Sequence, residues 1–341
     1  MSAGPDLPLA GRRARSGMLT HGEEVSVTPM VQEQYQKLSD EFNAWRTKES
    51  LLLDETNLDR DLADYLDVKI SEGSRASVGE KIVAAVSHFS VSHGQKLPRA
   101  QRTLKGFRRT RGGSSRLPLP DCVVAGIAAA CMSVQLPSLA MAIFAGMHLL
   151  ARPGEITLIR KADLHPPQRS NQVGLNVWTV TIADREVGRL SKTGTMDDTI
   201  PVVFPKWLGP MMGRLVHPRA PSEAPLFGLT NEEFAQGWGQ AIHLLGIRAH
   251  RYQLRHAGAA SALVAKRHTE ISLMSLGRWR TLTSVRRYAK ANLIKKSLGR
   301  LSPELKAFCE WSLTHMEQIL LGRVPVRLPV RPVGPPVNLE T

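Results

Sequence analysis

The residues best suited to chemistry are two arginines and a tyrosine. Arg152 stands three residues before Glu155 in the segment LLARPGEITLIRKADL, and Arg255 lies in the segment YQLRHAGAA. Tyr288 follows 33 residues beyond Arg255, close to two further arginines. Guanidinium groups suit the binding of phosphate oxygens because each presents a planar set of donors, and a tyrosine oxygen can act as a nucleophile once its proton is lost. Each feature is ordinary by itself, since an Arg-x-x-Glu pair is most often an ion pair within a helix.

A third segment, LSKTGTMDDTIPV, lies between these two and places Lys192 in a predicted β-hairpin. In this order and at these separations, the segments resemble the tyrosine recombinase (phage integrase) superfamily. The resemblance covers about residues 120–295 as a catalytic domain, and residues 28–110 are similar to the family's helical core-binding domain. It implies a mainly α fold with a small antiparallel β-sheet, in two domains: a helical N-terminal domain and an α+β catalytic domain.

By this resemblance, each matching position has an implied role in breaking and rejoining DNA strands. The implied catalytic residues are Arg152, Lys192, Tyr252, Arg255, Trp279 and Tyr288, with Glu155, His256 and Arg278 in support. The arginines would stabilise the charge that develops on the phosphate. Tyr288 would attack the phosphorus, and Lys192 would protonate the departing 5′-oxygen. The resulting 3′-phosphotyrosine retains the energy of the broken bond, so the expected chemistry needs no cofactor and no metal.

Two positions depart from the family pattern. Tyr252 occupies the place of the histidine in the His-x-x-Arg box, and His250 stands two residues earlier. A phenol donates a hydrogen bond but is a weaker base than imidazole near neutral pH, so Tyr252 suits positioning better than proton transfer. The family's later His or Trp position falls on either Arg278 or Trp279, and we favour Trp279. Two alternatives therefore stay open: a catalytically weak or inactive DNA-binding relative, and a type IB topoisomerase-like enzyme.

The charge distribution also favours a nucleic-acid partner. The chain has 341 residues, with 45 Lys plus Arg against 30 Asp plus Glu and a formal net charge of +15. Residues 96–120 contain eight bases and no acid, and residues 248–300 contain thirteen bases and a single acid, Glu270. The net charge of these two stretches together exceeds that of the whole chain, so the remaining residues carry a net negative charge. Such focusing is expected for binding to double-stranded DNA, and it argues against a uniformly basic surface.

The first basic stretch is predicted to form a helix that begins at Pro98, where proline is tolerated. Its expected DNA-binding residues are Lys96, Arg99, Arg102, Lys105, Arg108 and Arg109. Cations without an acid among them repel each other, which favours a phosphate-bearing ligand; a solvated basic helix without a partner is the alternative. The sequence GGSSRLPLP that follows, residues 112–120, has the composition of a linker.

Apolar spacing predicts the remaining elements. Three helices precede the basic one: one with Tyr35, Leu38, Phe42 and Trp45 on a single face, one that opens at Thr56 or Asn57, and one over residues 77–89. Residues 173–182 and 188–203 predict strands, with a turn near Gly194. The expected division is a flexible arm (1–27), a helical DNA-binding domain (28–111), a linker (112–120), a catalytic domain (121–300), a C-terminal helix (301–321) and a proline-rich tail (322–341). The five prolines of the tail predict an extension that forms neither helix nor strand.

The sequence also bears on location and assembly. Residues 122–150 contain no Asp, Glu, Lys or Arg, but Pro137 splits them into two pieces of helical length, which predicts buried core helices and no membrane span. Three cysteines without ligand spacing indicate a reducing compartment and argue against a metal site. Without a secretory signal, we expect an intracellular, DNA-associated protein: nuclear in a eukaryote, cytoplasmic or nucleoid-bound in a bacterium. The resemblance implies a homo-oligomer, a tetramer on two DNA sites, in which the C-terminal helix docks on a neighbour; packing of that helix on its own core is the alternative.

Overall fold

The computed structural model describes residues 23, 26–90, 96–111, 116–168, 176–182, 199–216, 221–330 and 334–340. The described chain is mainly helical with a small antiparallel sheet of three strands, as expected. It divides into two compact units, residues 1–114 and 115–341. None of the described helices is both long enough and apolar enough to cross a membrane. The predicted N-terminal arm lies almost wholly outside the described residues.

Four helices build the first unit. Their bounds are α1 Pro29–Lys48, α2 Leu58–Ser71, α3 Ala76–Phe89 and α4 Pro98–Thr110. α1 packs mainly on α3, and α2 packs on α4. All four contribute to one apolar core, which includes Phe42, Leu62, Leu66, Ile82 and Phe107. The predicted starts of α2 after Asn57 and of α4 at Pro98 are confirmed.

A carboxylate from α2 holds the N-terminus of the basic helix α4. The oxygens of Asp59 accept hydrogen bonds from the main-chain N–H groups of Arg99 and Ala100, each at 2.9 Å. The first turn of any helix leaves such donors without an intrahelical acceptor. Asp59 therefore takes the capping role that the apolar Leu97, directly before the helix, cannot fill.

We expect Asp59→Ala to loosen the start of α4, because loss of a capping carboxylate costs about 0.5–2 kcal/mol. Amide hydrogen exchange in the first two turns of α4, measured by mass spectrometry on the whole chain, should accelerate several-fold. Asp64→Ala is the matched control, since Asp64 lies on the same helix, is exposed and has a 4.0 Å ion pair with Arg60. Equal exchange rates in the two variants would contradict the capping role.

The second unit is larger and contains all the described strands. Its helices are α5 Asp121–Ser133, α6 Pro137–His148, α7 Pro153–Ile156, α8 Leu208–Gly213, α9 Asn231–Leu244, α10 Gln253–Val264, α11 Glu270–Leu276, α12 Leu282–Tyr288, α13 Ile294–Leu298 and α14 Pro303–Leu320. Its strands are β1 Leu164–His165, β2 Trp178–Thr181, β3 Thr199–Val202, β4 Ile247–Arg248 and β5 Val337–Asn338. Short 3-10 turns lie at Lys161–Asp163 and Ala291–Leu293.

The stretch without charged residues forms the centre of this unit. α5 and α6 are buried over most of their length, which confirms the prediction of two core helices split at Pro137. α14 packs along α5 of its own chain and buries Leu305, Phe308, Cys309 and Met316. The C-terminal helix thus follows the alternative expectation and packs on its own core. Assembly into a tetramer stays a prediction.

The antiparallel sheet has the strand order β1-β2-β3. Leu164 pairs with Val180 and Val180 pairs with Ile200, so these three buried side chains share one face of the sheet. β2 lies within the predicted strand segment 173–182, and β3 lies within the predicted segment 188–203. The predicted turn near Gly194 lies outside the described residues.

The proline-rich tail corrects one prediction. β5 pairs in parallel with β4, with Val337 opposite Ile247 and Asn338 opposite Arg248. Leu339, the next residue, is fully buried. The prediction that the tail forms neither helix nor strand is wrong, because β5 lies beyond the last proline, where every residue again has an N–H donor.

The predicted linker is also shorter than its composition indicates. Residues 117–120 are buried within the second unit. The Leu117 carbonyl accepts a hydrogen bond from Gln253 Nε2 at 2.8 Å, and the Pro118 carbonyl accepts one from Ser297 Oγ at 3.0 Å. The linker prediction is therefore wrong for these last residues, since their Leu and Pro side chains supply apolar surface that Gly and Ser lack.

Candidate active site

The candidate active site is centred on Glu155, in the single turn of α7. Its carboxylate accepts a hydrogen bond from the main-chain N–H of Arg152 at 2.7 Å and a second from the Arg152 guanidinium. α7 is a single turn of four residues. Ile156 and Ile159 are both buried, so their three-residue spacing reflects a shared core contact and not one continuous helix.

Two more arginines reach the same carboxylate. Arg278 Nη2 lies 2.8 Å from Glu155 Oε2, and Arg255 Nη1 lies 3.9 Å from it. Burial raises the pKa of Glu155, but the charge of Arg278 and the hydrogen bonds and charge of Arg152 lower it, so the pKa lies below its ordinary value. Glu155 is thus an anion that gathers three guanidiniums. The excess of positive charge suits a phosphate ligand.

Arg255 is fully buried, and the protein itself uses its Nη donors. Nη1 donates to the Leu150 carbonyl at 2.6 Å, and Nη2 donates to the Gly277 carbonyl. Burial, followed by the charges of Arg278 and Arg152, lowers the pKa of Arg255 to about 9, so the group stays protonated at neutral pH. As placed here, Arg255 organises the site from within. This differs from the implied role, in which Arg255 grips the phosphate directly.

Aromatic rings cover this buried guanidinium. The Tyr288 ring centroid lies 5.6 Å from Cζ of Arg255, and the Trp279 ring centroid lies 4.6 Å from it. The Tyr288 ring also lies 5.1 Å from the Trp279 ring and 4.4 Å from the His256 ring. Tyr288 is the last residue of α12, a helix that Thr281 caps through its hydroxyl. The buried guanidinium of Arg255 is thus covered by the rings of Tyr288 and Trp279.

His256 packs against Tyr288 as a neutral ring. Burial, followed by the charge of Lys290, lowers the pKa of His256 to about 4. Its Nδ1 is buried, and no described group makes a hydrogen bond to it. His256 therefore packs against the Tyr288 ring without adding charge at neutral pH.

Arg278 and Trp279 both enter the site, by different routes. Arg278 has a φ of 55°, and its side chain turns back to Glu155 while Trp279 packs beside Tyr288. Gly277 allows this close turn, since a Cβ on it would lie 2.1 Å from the Trp279 ring. Trp279 thus lies beside Tyr288 and Arg278 pairs with Glu155, while the catalytic role of Trp279 and the supporting role of Arg278 stay predictions.

Tyr252 lies directly before α10, one turn ahead of Arg255. Its main-chain N–H donates to His250 Nδ1 at 3.1 Å, and Cζ of Arg116 lies 5.9 Å from the centroid of its ring. Burial, followed by the charge of Arg116, lowers the pKa of His250. Since its Nδ1 serves the turn, His250 does not offer that nitrogen to a ligand. Lys192, the predicted acid, lies outside the described residues.

Sequence reasoning missed Gln253, which fixes the first turn of α10. Its Oε1 accepts from the His250 N–H at 2.6 Å, and its Nε2 donates to the carbonyls of Leu117 at 2.8 Å and Leu339 at 2.7 Å. The helix that carries Arg255 is thereby tied to both ends of the second unit. No sequence signal could have found this role, because main-chain carbonyls carry no residue-type signature.

The cations of α4 form an exposed face in the first unit. Arg108 Nε lies 2.7 Å from a carboxylate oxygen of Glu80. The other five predicted DNA-binding side chains form no ion pair with any described residue. Those on the helix, Arg99, Arg102, Lys105 and Arg109, recur at steps of three or four and so share one side of α4, opposite its buried face.

Comparison with known protein families finds no family model that matches the chain, and comparison with curated proteins finds no matching sequence. The function of the site therefore rests on its own geometry and chemistry.

Proposed function

We propose that this chain cleaves and rejoins double-stranded DNA through a covalent bond between Tyr288 and a 3′-phosphate. The observation that carries the proposal is the convergence of three arginines on Glu155, with the ring of Tyr288 over one of them. A phenol beside an excess of positive charge suits attack on a phosphodiester, whose negative charge grows in the transition state.

The proposed reaction balances without a further reactant. Tyr288 Oη bonds to phosphorus as its proton leaves to water or a nearby base, and the bond from phosphorus to the 5′-oxygen breaks. The 5′-oxygen then takes a proton, a step for which the family resemblance implies Lys192. In rejoining, a 5′-hydroxyl attacks the phosphotyrosine and restores the phenol. Arg152 has 16% of its side chain exposed, more than Arg255 or Arg278, so it is the guanidinium at Glu155 that a phosphate can reach most directly.

The experiment that tests this proposal is covalent capture. A pool of nicked duplexes with a randomised central sequence is incubated with the protein, so that a short strand released by cleavage diffuses away and leaves any adduct trapped. A denaturing gel followed by peptide mapping should show DNA joined by a 3′-phosphate to Tyr288. Duplex binding without an adduct at any sequence in the pool, or an adduct on another residue, would overturn the proposal.

A DNA-binding relative that no longer cleaves is the second candidate. It is favoured by the burial of Arg255, whose Nη donors already bind main-chain carbonyls, and by the phenol of Tyr252 in place of an imidazole. Tyr252→His separates the two candidates. If the chain is an enzyme, imidazole at this position should preserve or raise the rate of adduct formation, whereas an inactive relative will gain no activity from it.

Both candidates place DNA on the exposed face of α4. We expect the triple variant Arg102→Gln, Lys105→Gln, Arg109→Gln to weaken binding to any duplex and to flatten its salt dependence. The log–log slope should fall by about 0.9 for each phosphate that the protein no longer neutralises. Fluorescence anisotropy across a range of salt concentrations measures this slope.

The matched control neutralises three exposed or partly exposed cations outside α4 that already have carboxylate partners. Arg60, Lys69 and Lys306 pair with Asp64, Glu72 and Glu310 at 4.0, 2.9 and 3.9 Å. Their replacement by glutamine removes the same formal charge but should change the salt slope less. Equal slopes for the two triple variants would identify the basic face as a solvated surface.

A further inference from the structure

Arg116 stands where the chain enters the second unit, and the residue after it is fixed there. Leu117 is buried, donates its N–H to the Glu340 carbonyl at 3.1 Å and accepts from Gln253 Nε2 at 2.8 Å. Arg116 therefore projects its side chain from a defined position, although the composition of this segment predicts a linker.

The guanidinium of Arg116 lies beside the candidate active site and forms no ion pair with any described residue. It is half-buried, with Cζ 5.9 Å from the ring centroid of Tyr252. Burial is the largest cause of the lowered pKa of His250, and the charge of Arg116 is the next. For His256, burial and then the charge of Lys290 lower the pKa most, and Arg116 contributes a smaller lowering. A cation that lies beside the Tyr252 ring and forms no ion pair with a described residue favours an anion at the same place.

We propose that Arg116 is a further phosphate-binding residue of this site, contacting the DNA backbone on the Tyr252 side, next to the phosphate that Tyr288 attacks. The proposal rests on the proposed function and adds a cation from a separate chain segment to the arginines around Glu155. Tyr252 precedes Arg255 by about one helical turn, which rises about 5.4 Å. Arg116 lies beside the Tyr252 ring, so both residues lie within reach of a phosphate next to the one bound near Arg255. Arginine presents paired planar donors to phosphate, whereas lysine presents a single charge, so the two residues should differ here.

The test uses the full chain with Arg116→Gln, Arg116→Lys and, as control, Lys306→Gln. Lys306 is exposed on α14 of the same unit and pairs with Glu310 at 3.9 Å, so the control removes one charge that already has a carboxylate partner. Anisotropy with a random-sequence duplex gives the salt slope. The nicked pool at saturating protein concentration gives the rate of covalent complex formation.

Arg116→Gln should lower the salt slope by about 0.9, the value for one neutralised phosphate. It should also slow covalent complex formation by about tenfold or more, since loss of one transition-state donor costs about 10²–10³ in rate. Arg116→Lys should restore the slope and part of the rate, and Lys306→Gln should match the unmodified chain in both.

An unchanged slope in Arg116→Gln overturns the assignment whether or not the chain cleaves DNA. A lowered slope with an unchanged rate overturns the placement beside the reacting phosphate. If the unmodified chain forms no covalent complex while the slope still falls in Arg116→Gln, the bond from Arg116 to phosphate stands and the proposed cleavage fails.

Discussion

Tyr288→Phe should abolish the covalent complex with DNA and leave the affinity for duplex unchanged. A phenylalanine ring keeps the packing that tyrosine has against Arg255, Trp279 and His256, at 5.6, 5.1 and 4.4 Å, because the oxygen alone is removed. That oxygen is the proposed nucleophile, and a phenyl ring offers no other atom that can bond to phosphorus. Denaturing gels with the nicked pool measure the complex, and anisotropy measures the affinity.

Tyr252→Phe is the matched control, since it removes the same oxygen from the other phenol near the site. It should slow the reaction through loss of a hydrogen-bond donor but still yield the covalent complex. A complex that persists in Tyr288→Phe and vanishes in Tyr252→Phe would assign the nucleophile to Tyr252. In that case the roles implied by the family resemblance would be wrong at both positions.

Much of the first unit could be predicted from local spacing. Phe42 and Leu62 lie on helix faces whose apolar residues recur every three or four positions, and a buried helical face is what such a period predicts. Pro98 marks a helix start because proline lacks the N–H that a first-turn residue leaves unpaired. The ends of the second unit were harder to predict, since Leu117 and Glu340 pair across segments far apart in sequence and no local signal contains that pairing.

At the candidate site, the sequence could predict contacts between near neighbours but not those that complete the cluster. The three-residue spacing of Arg152 and Glu155 predicts their ion pair. The bond from Arg278 to Glu155 joins residues 123 positions apart, and no sequence rule places an arginine at a φ of 55°. The burial of Arg255 also arises from tertiary packing, because rings from a later part of the chain lie over it. Residue spacing therefore predicts the local pair of Arg152 and Glu155, and tertiary packing decides which further groups join it and which of them a ligand can reach.

Arg46→Met should destabilise the first unit by about 3–5 kcal/mol, the cost of leaving one partner of a buried ion pair uncompensated. Arg46 and Asp61 are 2% and 3% exposed, and Arg46 Nε lies 2.9 Å from Asp61 Oδ2. The same guanidinium donates through Nη2 to the carbonyls of Leu52 and Asp54, the latter at 2.7 Å, so it also fixes the turn between α1 and α2. Amide hydrogen exchange in α2, measured on the whole chain, should report the decrease in the free energy of unfolding.

The double variant Arg46→Met, Asp61→Leu tests whether the buried charge is the cause. Apolar side chains of similar volume often replace a buried ion pair without loss, because neither charge then has to be taken out of water. Protection of the α2 amides from exchange should therefore recover in the double variant. The recovery should be incomplete, because the carbonyls of Leu52 and Asp54 still lack the donor that Arg46 supplied. If the double variant is as unstable as Arg46→Met, the main role of Arg46 is to hold the turn at Leu52 and Asp54. If Arg46→Met exchanges like the unmodified chain, the ion pair contributes nothing to the stability of the unit.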